Sequence, residues 1–169
     1  MPIFARRAPL PPDVRARVDL AARDRVLAAA ELTDGWAIAT RLALYVVAAP
    51  RDVERRAWAD VDRATLDPER SVITVDWVDG GRRELHVADE NQNAFPRTLH
   101  ERVQSSVVHS ETVELPGGGR VRVALRRDED GELFSQVIGD GLTDLGDPGV
   151  AARVDAAEAR VRGAAGLPL

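Results

Sequence analysis

Cysteine and lysine are both missing from this 169-residue chain. Without a thiol there is no disulfide, no iron–sulfur cluster, no thiolate zinc site and no cysteine nucleophile. Without a lysine there is no Schiff-base amine, and no phosphate loop that places Lys after its second glycine. All 23 basic residues are arginine. Long apolar runs are absent too. None approaches the ~18 residues that a membrane span needs. The longest, Ala43–Pro50, is too short and in the wrong place for a signal-peptide core. Met1 to Leu10 carries two arginines and no apolar stretch. These absences lead to the expectation of a cytoplasmic, soluble protein with no membrane span.

What is present is charge, unevenly spread. The formal net charge is −5, made of +3 over residues 1–25, −2 over 26–127 and −6 over 128–169. A basic head and an acidic tail most simply mark solvated faces.

The first eleven residues lack periodicity and read as a flexible N-terminus. Pro11-Pro12-Asp13 opens a helix, because proline is tolerated in a first turn. Val14, Val18, Ala21 and Ala22 fall on one stripe, which predicts a helix over about 12–24. The pattern then turns to short, β-branched segments: Val26–Leu32, Trp36–Thr40, Ala43–Val47, Glu54–Trp58, Val61–Leu66, Ser71–Val78 and Arg82–Ala88. Thr33-Asp34-Gly35, Asp67-Pro68-Glu69 and Asp79-Gly80-Gly81 supply the turns. Ile73, Val75 and Trp77 share one strand face, so Trp77 is expected in the core. After a polar loop, Asn93 is a candidate N-cap. Phe95, Leu99, Val103 and Val107 then predict a helix ending near Val108 or His109. A meander of seven strands hides its edges by closing into a small barrel or a pair of packed sheets.

Some of these residues carry a likeness. Val26–Ala30, the run Thr40 to Val47 with Leu44 four residues after Thr40, Trp58-Ala59-Asp60-Val61 and Ile73–Val75 resemble the bacterial pleckstrin-homology-like (PH-like) family. The match covers about residues 26–108. More narrowly, the whole chain resembles a group of actinobacterial proteins, through Glu101–Val108 and Arg126-Arg127-Asp128. The resemblance implies an α+β fold: a PH-like antiparallel barrel of about seven strands with a preceding helix and a capping helix. It implies no catalytic residue and no activity. PH-type lipid headgroup binding uses a basic β1–β2 loop. The corresponding Thr33-Asp34-Gly35 is short and acidic, so phosphoinositide binding is disfavoured.

A second piece comes after the barrel. Thr112–Leu115 and Arg120–Arg127 flank Pro116-Gly117-Gly118-Gly119, and Asp128–Gly131 turns into Glu132–Ile138. Asp147-Pro148 starts a last helix with Val150, Val154, Ala157 and Val161 as its stripe. So small a unit is marginal alone. The expected organisation is therefore a helix plus barrel with its capping helix over 12–109, and a β-hairpin or small sheet with a helix over 110–169, packed on the barrel.

Candidate chemistry is thin. His86, His100 and His109 are expected at the surface, since the last two lie on nearly opposite sides of one helix and do not chelate one metal. Asp128-Glu129-Asp130-Gly131-Glu132 has a passing likeness to a calcium loop, but its twelfth position is Gly139 where a bidentate Glu is needed, which favours a tight turn. Asp147 reads as a helix cap, while Asp140 and Asp144 keep weak cation binding open. Ser105 and Ser106 lack a nucleophile-elbow context. Gly117–Gly119 leads into a strand, so it lacks the helix dipole of a phosphate loop. No cofactor and no metal site is expected.

The candidate interaction surface is an arginine ribbon of Arg120, Arg122, Arg126 and Arg127. Val121, Val123 and Leu125 alternate with basic residues, so one register exposes the arginines. Such a ribbon suits an acidic protein partner, or a sheet face salt-bridged to residues such as Glu111, Glu114 or Glu132. No aromatic residue is interleaved and the net charge is negative, so nucleic acid is disfavoured. The expected function is a non-catalytic binding or scaffold module acting through protein–protein interaction. The alternatives are an enzyme with scattered Asp, Glu and His residues, or a nucleic-acid accessory protein using the arginine ribbon. Nothing in the sequence indicates the oligomeric state.

Overall fold

The structure is a computed structural model, and it describes residues 10–48, 52–89, 94–116, 118–139 and 143–168. The expected flexible start, the Asn93 cap and Asp140 thus lie outside the described residues, except that Leu10 and Pro11 are described. Leu10 packs against the core, and Pro11 caps the first helix.

The described chain is mixed α+β, with three helices and ten strands in three antiparallel sheets. The first sheet is a meander of β1 (Val26–Leu32), β2 (Gly35–Thr40), β3 (Ala43–Ala48) and β4 (Asp52–Ala57). A single 3-10 turn, Trp58–Asp60, leads to the second, formed by β5 (Val61–Asp67), β6 (Val72–Trp77) and β7 (Arg82–His86). The two meet at one corner. There Leu32 bridges Val87, the Thr33 amide donates to His86 O at 2.9 Å, and the Ala88 amide donates to Glu31 O at 2.9 Å.

The expected closed barrel does not form. Among the described residues no ladder joins β4 to β5. The 3-10 turn intervenes, so the seven strands make two packed sheets instead. Helix α2 (Ala94–Ser106) covers the space between them. Its Phe95, Leu99 and Val103 join Ala37, Leu44, Val61, Ile73, Val75, Trp77 and Leu85 in one core. Trp77 is 6 % exposed, as its strand face requires.

The first sheet is buried on its other face as well. Ile38, Ala43, Tyr45 and Val47 pack with Val14 and Val18 of the N-terminal segment. Helix α1 is much shorter than its apolar stripe predicts, Pro12–Arg17 only. Ala21 and Ala22 are exposed. Helices this short survive by what they bury, and two alanine methyls bury too little to extend one. Instead the chain leaves the helix at Val18 in extended geometry, and Arg17 and Tyr45 hold it through Ala48 O and Asp19 O.

Helix α2 also stops sooner than the four-residue spacing suggests. Val107 begins β8 (Val107–Glu114), with no loop between. Residues four apart drift around a helix of 3.6 residues per turn, so Val107 no longer shares the core stripe. Pairing with β9 (Arg120–Arg127) satisfies its backbone better. β10 (Leu133–Ile138) completes the third sheet in the order β10-β9-β8. Helix α3 (Pro148–Ala164) lies on one face of this sheet. Its Val150, Val154, Ala157 and Val161 meet Val113, Val121, Val123 and Leu125. Asp147 caps it, accepting from the amides of Gly149 (2.8 Å) and Val150 (3.0 Å). The Asp128–Gly131 segment is the β9–β10 turn, with Gly131 at φ 94°.

Candidate cleft above a buried arginine

The strand period correctly places Val121, Val123 and Leu125 on one face of β9. Its opposite face is not free. It packs against the 3-10 turn, the start of β5 and the end of α2. Ala124 is 1 % exposed and Arg126 0 %. The Arg126 Nη1 donates to Val61 O (2.9 Å), Ser106 Oγ (3.1 Å) and Trp58 O (3.3 Å). Its Nε and Nη2 are buried without an acceptor among the described residues. Asp62, 3.8 Å from Nη2, is the nearest carboxylate, but Arg122 engages it directly. Burial, helped by the charge of Arg122, brings the Arg126 guanidinium down from its ordinary value to about 10, against an upward pull from Asp60. It therefore remains charged at neutral pH.

The arginine ribbon is thus taken apart. Arg120 is exposed, Arg122 is half-buried on Asp62, and Arg126 is fully enclosed. Arg127 is exposed but has the parity of the valines, and its Nη1 donates to Gly131 O at 3.1 Å. The expectation of four exposed guanidiniums fails because the groups that enclose Arg126 are mostly backbone carbonyls. Residue types do not reveal those.

What the fold does assemble is a cleft of about 320 Å³. Arg41 and Leu42 come from the β2–β3 turn, Trp58 and Ala59 from the 3-10 turn, Arg102, Ser105 and Ser106 from the end of α2, and Arg127–Gly131 from the β9–β10 turn. An adjoining hollow shares Arg41, Leu42, Glu129 and Asp130 and reaches Ala21–Arg23. Another shares Arg102 and Ser105 and reaches Leu27 of β1. Trp58 is buried, and its indole N–H donates to Thr40 O at 3.1 Å. Ser106 links the cleft to Arg126, since its hydroxyl accepts from Nη1 and donates to Val103 O at 2.7 Å.

The walls carry opposite charges. Arg41 Nε donates to Arg23 O at 3.1 Å. Arg102 donates through Nη2 to Ser105 Oγ at 2.6 Å, while its Nε is buried without an acceptor among the described residues. On the acidic side, Asp128 Oδ1 is occupied within the turn by the amides of Asp130 (3.0 Å) and Glu132 (2.8 Å). Glu129 pairs with Arg55 at 2.5 Å. Burial acts to lower the Arg55 guanidinium, but the hydrogen bonds to Tyr45 and Glu129 outweigh it and leave the group raised.

Among the described residues neither cleft serine has a His, Asp or Glu hydrogen-bond partner. An activated nucleophile needs such a base. His86, His100 and His109 are all exposed, as expected, with His86 beside Glu84 at 3.5 Å. No group of three or more His, Asp and Glu is arranged to hold a metal among the described residues. No described helix is long and apolar enough to cross a membrane. Arg41, Trp58, Asp62 and Arg102 carry no local sequence signal for this site, because it draws on four segments far apart in the chain. No protein-family model matches the chain, and neither a curated protein nor a solved structure matches it.

Proposed function

We propose that the protein is a non-catalytic binding module. Its ligand is a segment of a partner protein carrying both acidic and basic side chains, seated in the cleft between Arg41, Arg102 and the β9–β10 turn. The observation that carries the reading is the convergence of guanidinium groups from the β2–β3 turn and α2 on the acidic β9–β10 turn, which itself begins with Arg127. Such a cleft selects a partner by charge pattern and excludes segments of one sign. The serines at its floor are bonded to Arg102, Val103 and Arg126 rather than to a base, which supports binding over chemistry.

The order of four strands, three strands and a covering helix supports the PH-like resemblance, with β1 and β7 meeting at one corner. The exposed, acidic Thr33-Asp34 turn keeps phosphoinositide headgroups disfavoured. A nucleic-acid accessory role loses its surface once Arg126 is enclosed and Arg122 is paired. Pull-downs from the native host test the reading. The wild type and an Arg70→Glu control, altered at an exposed turn away from the cleft, retain a common partner. An Arg41→Glu/Arg127→Glu variant that melts with the wild type loses it at least tenfold. Equal recovery by all three rejects the cleft as the binding locus.

A further inference from the structure

Six strands form the edges of the three sheets: β1, β4, β5, β7, β8 and β10. Five of them carry charge. β1 has Glu31, and its end is bonded to the β7 end. β4 has Asp52, Glu54, Arg55 and Arg56, while β5 has Asp62, Arg63 and Asp67. β7 has Arg82, Arg83 and Glu84, and β8 has His109, Glu111 and Glu114. Charged side chains on an edge keep other strands from pairing with it. β10, Leu-Phe-Ser-Gln-Val-Ile, has none, and it has neither proline nor glycine. All six of its residues are half-exposed. Among the described residues, no strand but β9 pairs with it.

The register settles which backbone groups face outward. The Asp128 amide donates to Glu132 O in the β9–β10 turn. Hydrogen-bonded pairs alternate along an antiparallel ladder. Residues 132, 134, 136 and 138 therefore bond to β9, and Leu133, Ser135 and Val137 turn their N–H and C=O away from it.

We propose that β10 pairs with β10 of a second copy of this chain, antiparallel about a two-fold axis centred on Ser135. In that register Ser135 faces Ser135 of the second copy, and Leu133 and Val137 face each other's counterparts. All three outward residues then lie at hydrogen-bonded positions. Opposite residues stay on the same sheet face, so the two α3 helices lie on one side of a continuous six-stranded sheet. The strand's chemistry selects the occupant. It offers no charge to steer a charged peptide, and the uncharged strand that matches its length and alternation is β10 itself. The pairing also covers half-exposed Phe134 and Ile138 on one face and Leu133 and Val137 on the other. It ends at two copies, because the next edge of the combined sheet is the charged β8 at either side.

Sedimentation velocity on the full chain between about 1 and 200 μM tests this, in the range where modest interfaces associate. The expected result is a concentration-dependent shift from 18.4 kDa to twice that mass. Ser135→Pro removes an outward N–H without touching the bonds to β9, which edge strands tolerate. It is expected to weaken the association at least tenfold. The absence of native cysteine gives a second readout that does not depend on the proline variant folding. Phe134→Cys, on the face away from α3, is expected to cross-link to dimer with a short bis-maleimide, because diagonal neighbours across an antiparallel pair sit ~7–8 Å apart. Thr65→Cys, on the edge of β5, is expected to stay monomeric. A chain that is monomeric at the top concentration, a dimer unaffected by a folded Ser135→Pro, or cross-linking equal at both sites overturns the proposal. Growth into larger open assemblies overturns it as well.

Discussion

Replacing Arg126 is the sharpest test of how the third sheet is held on the first two. Its Nη1 serves Val61 O at 2.9 Å, Ser106 Oγ at 3.1 Å and Trp58 O at 3.3 Å, all in a region closed to water. Arg126→Ala takes the buried donor from Val61 O and Ser106 Oγ, at ~1–3 kcal/mol each, while Trp58 O keeps the Val61 amide. It also opens a cavity where the stem was. Asp62 is not stranded, because Arg122 still holds it. The loss is therefore placed at ~3–5 kcal/mol, comparable with breaking a buried ion pair. In a chain of this length ~1 kcal/mol moves the melting temperature by ~2–4 °C, so the expected drop is about 6–20 °C. Arg126→Met leaves the same acceptors without a donor but keeps most of the volume. It avoids the cavity, so the methionine variant is expected to lose less than the alanine variant. Thermal and urea unfolding of both variants measure the two losses. An alanine variant melting within about 2 °C of the wild type refutes the reasoning, since about 1 kcal/mol at most would then be at stake. A methionine variant less stable than alanine refutes it too.

Single contacts set the other expected outcomes. Burial holds Arg126 well below its ordinary value, at about 10 in the folded chain, so between the folded and unfolded values the unfolded state binds more protons and stability rises with pH. Arg126→Met should lack that rise, and the absence of lysine keeps the alkaline window clear of ammonium titration. Glu111 lies below its ordinary 4.5, chiefly through its hydrogen bonds to Arg160. Its contribution is present above 4.5 and lost as pH falls through the lower folded value. Arg160→Ala should flatten the acid limb of a stability–pH curve there through a small loss at neutral pH, with the two curves converging in acid. At Gly35 an added Cβ would collide with Val47 O, so Gly35→Ala should cost ~1–3 kcal/mol by forcing β2 and β3 apart. Asp147→Ala should cost ~0.5–2 kcal/mol by uncapping α3. Chemical denaturation measures both, and no change in either rejects the corresponding contact.

Local periodicity makes several elements readable from residues alone. β9 has the limits its alternation predicts, Arg120–Arg127, and the turns at Thr33-Asp34, Asp79-Gly80 and Asp128–Gly131 join the strands that flank them in the sequence pattern. In each case the signal and its cause lie within ten residues. α1 and the end of α2 depart from their sequence patterns for one reason. Their apolar spacing is helical, but the partner that decides the outcome is distant: the outer face of the first sheet for α1, and β9 for Val107. Closure of the barrel depends likewise on the segment after β4. The 3-10 turn at Trp58, which separates β4 from β5, has no periodic signature.

The site is less legible than the fold, and Arg126 explains why. Alternation along β9 tells which residues share a face, and it is right for Arg122, Ala124 and Arg126. It does not tell whether the face meets water. An arginine on a strand is ordinarily a surface residue, because a buried guanidinium requires several acceptors in fixed places. Here the acceptors are Trp58 O, Val61 O and Ser106 Oγ, brought together where the 3-10 turn, the start of β5 and the end of α2 meet, with Trp58 O accepting the Val61 amide as well. Breaks in regular structure are thus what make this burial possible. The same breaks wall the cleft, whose floor residues Trp58 and Ser106 are two of the groups that bind Arg126. Cleft and buried arginine consequently share one scaffold, and a change that loosens Arg126 is expected to reach the cleft through Ser106 and Trp58.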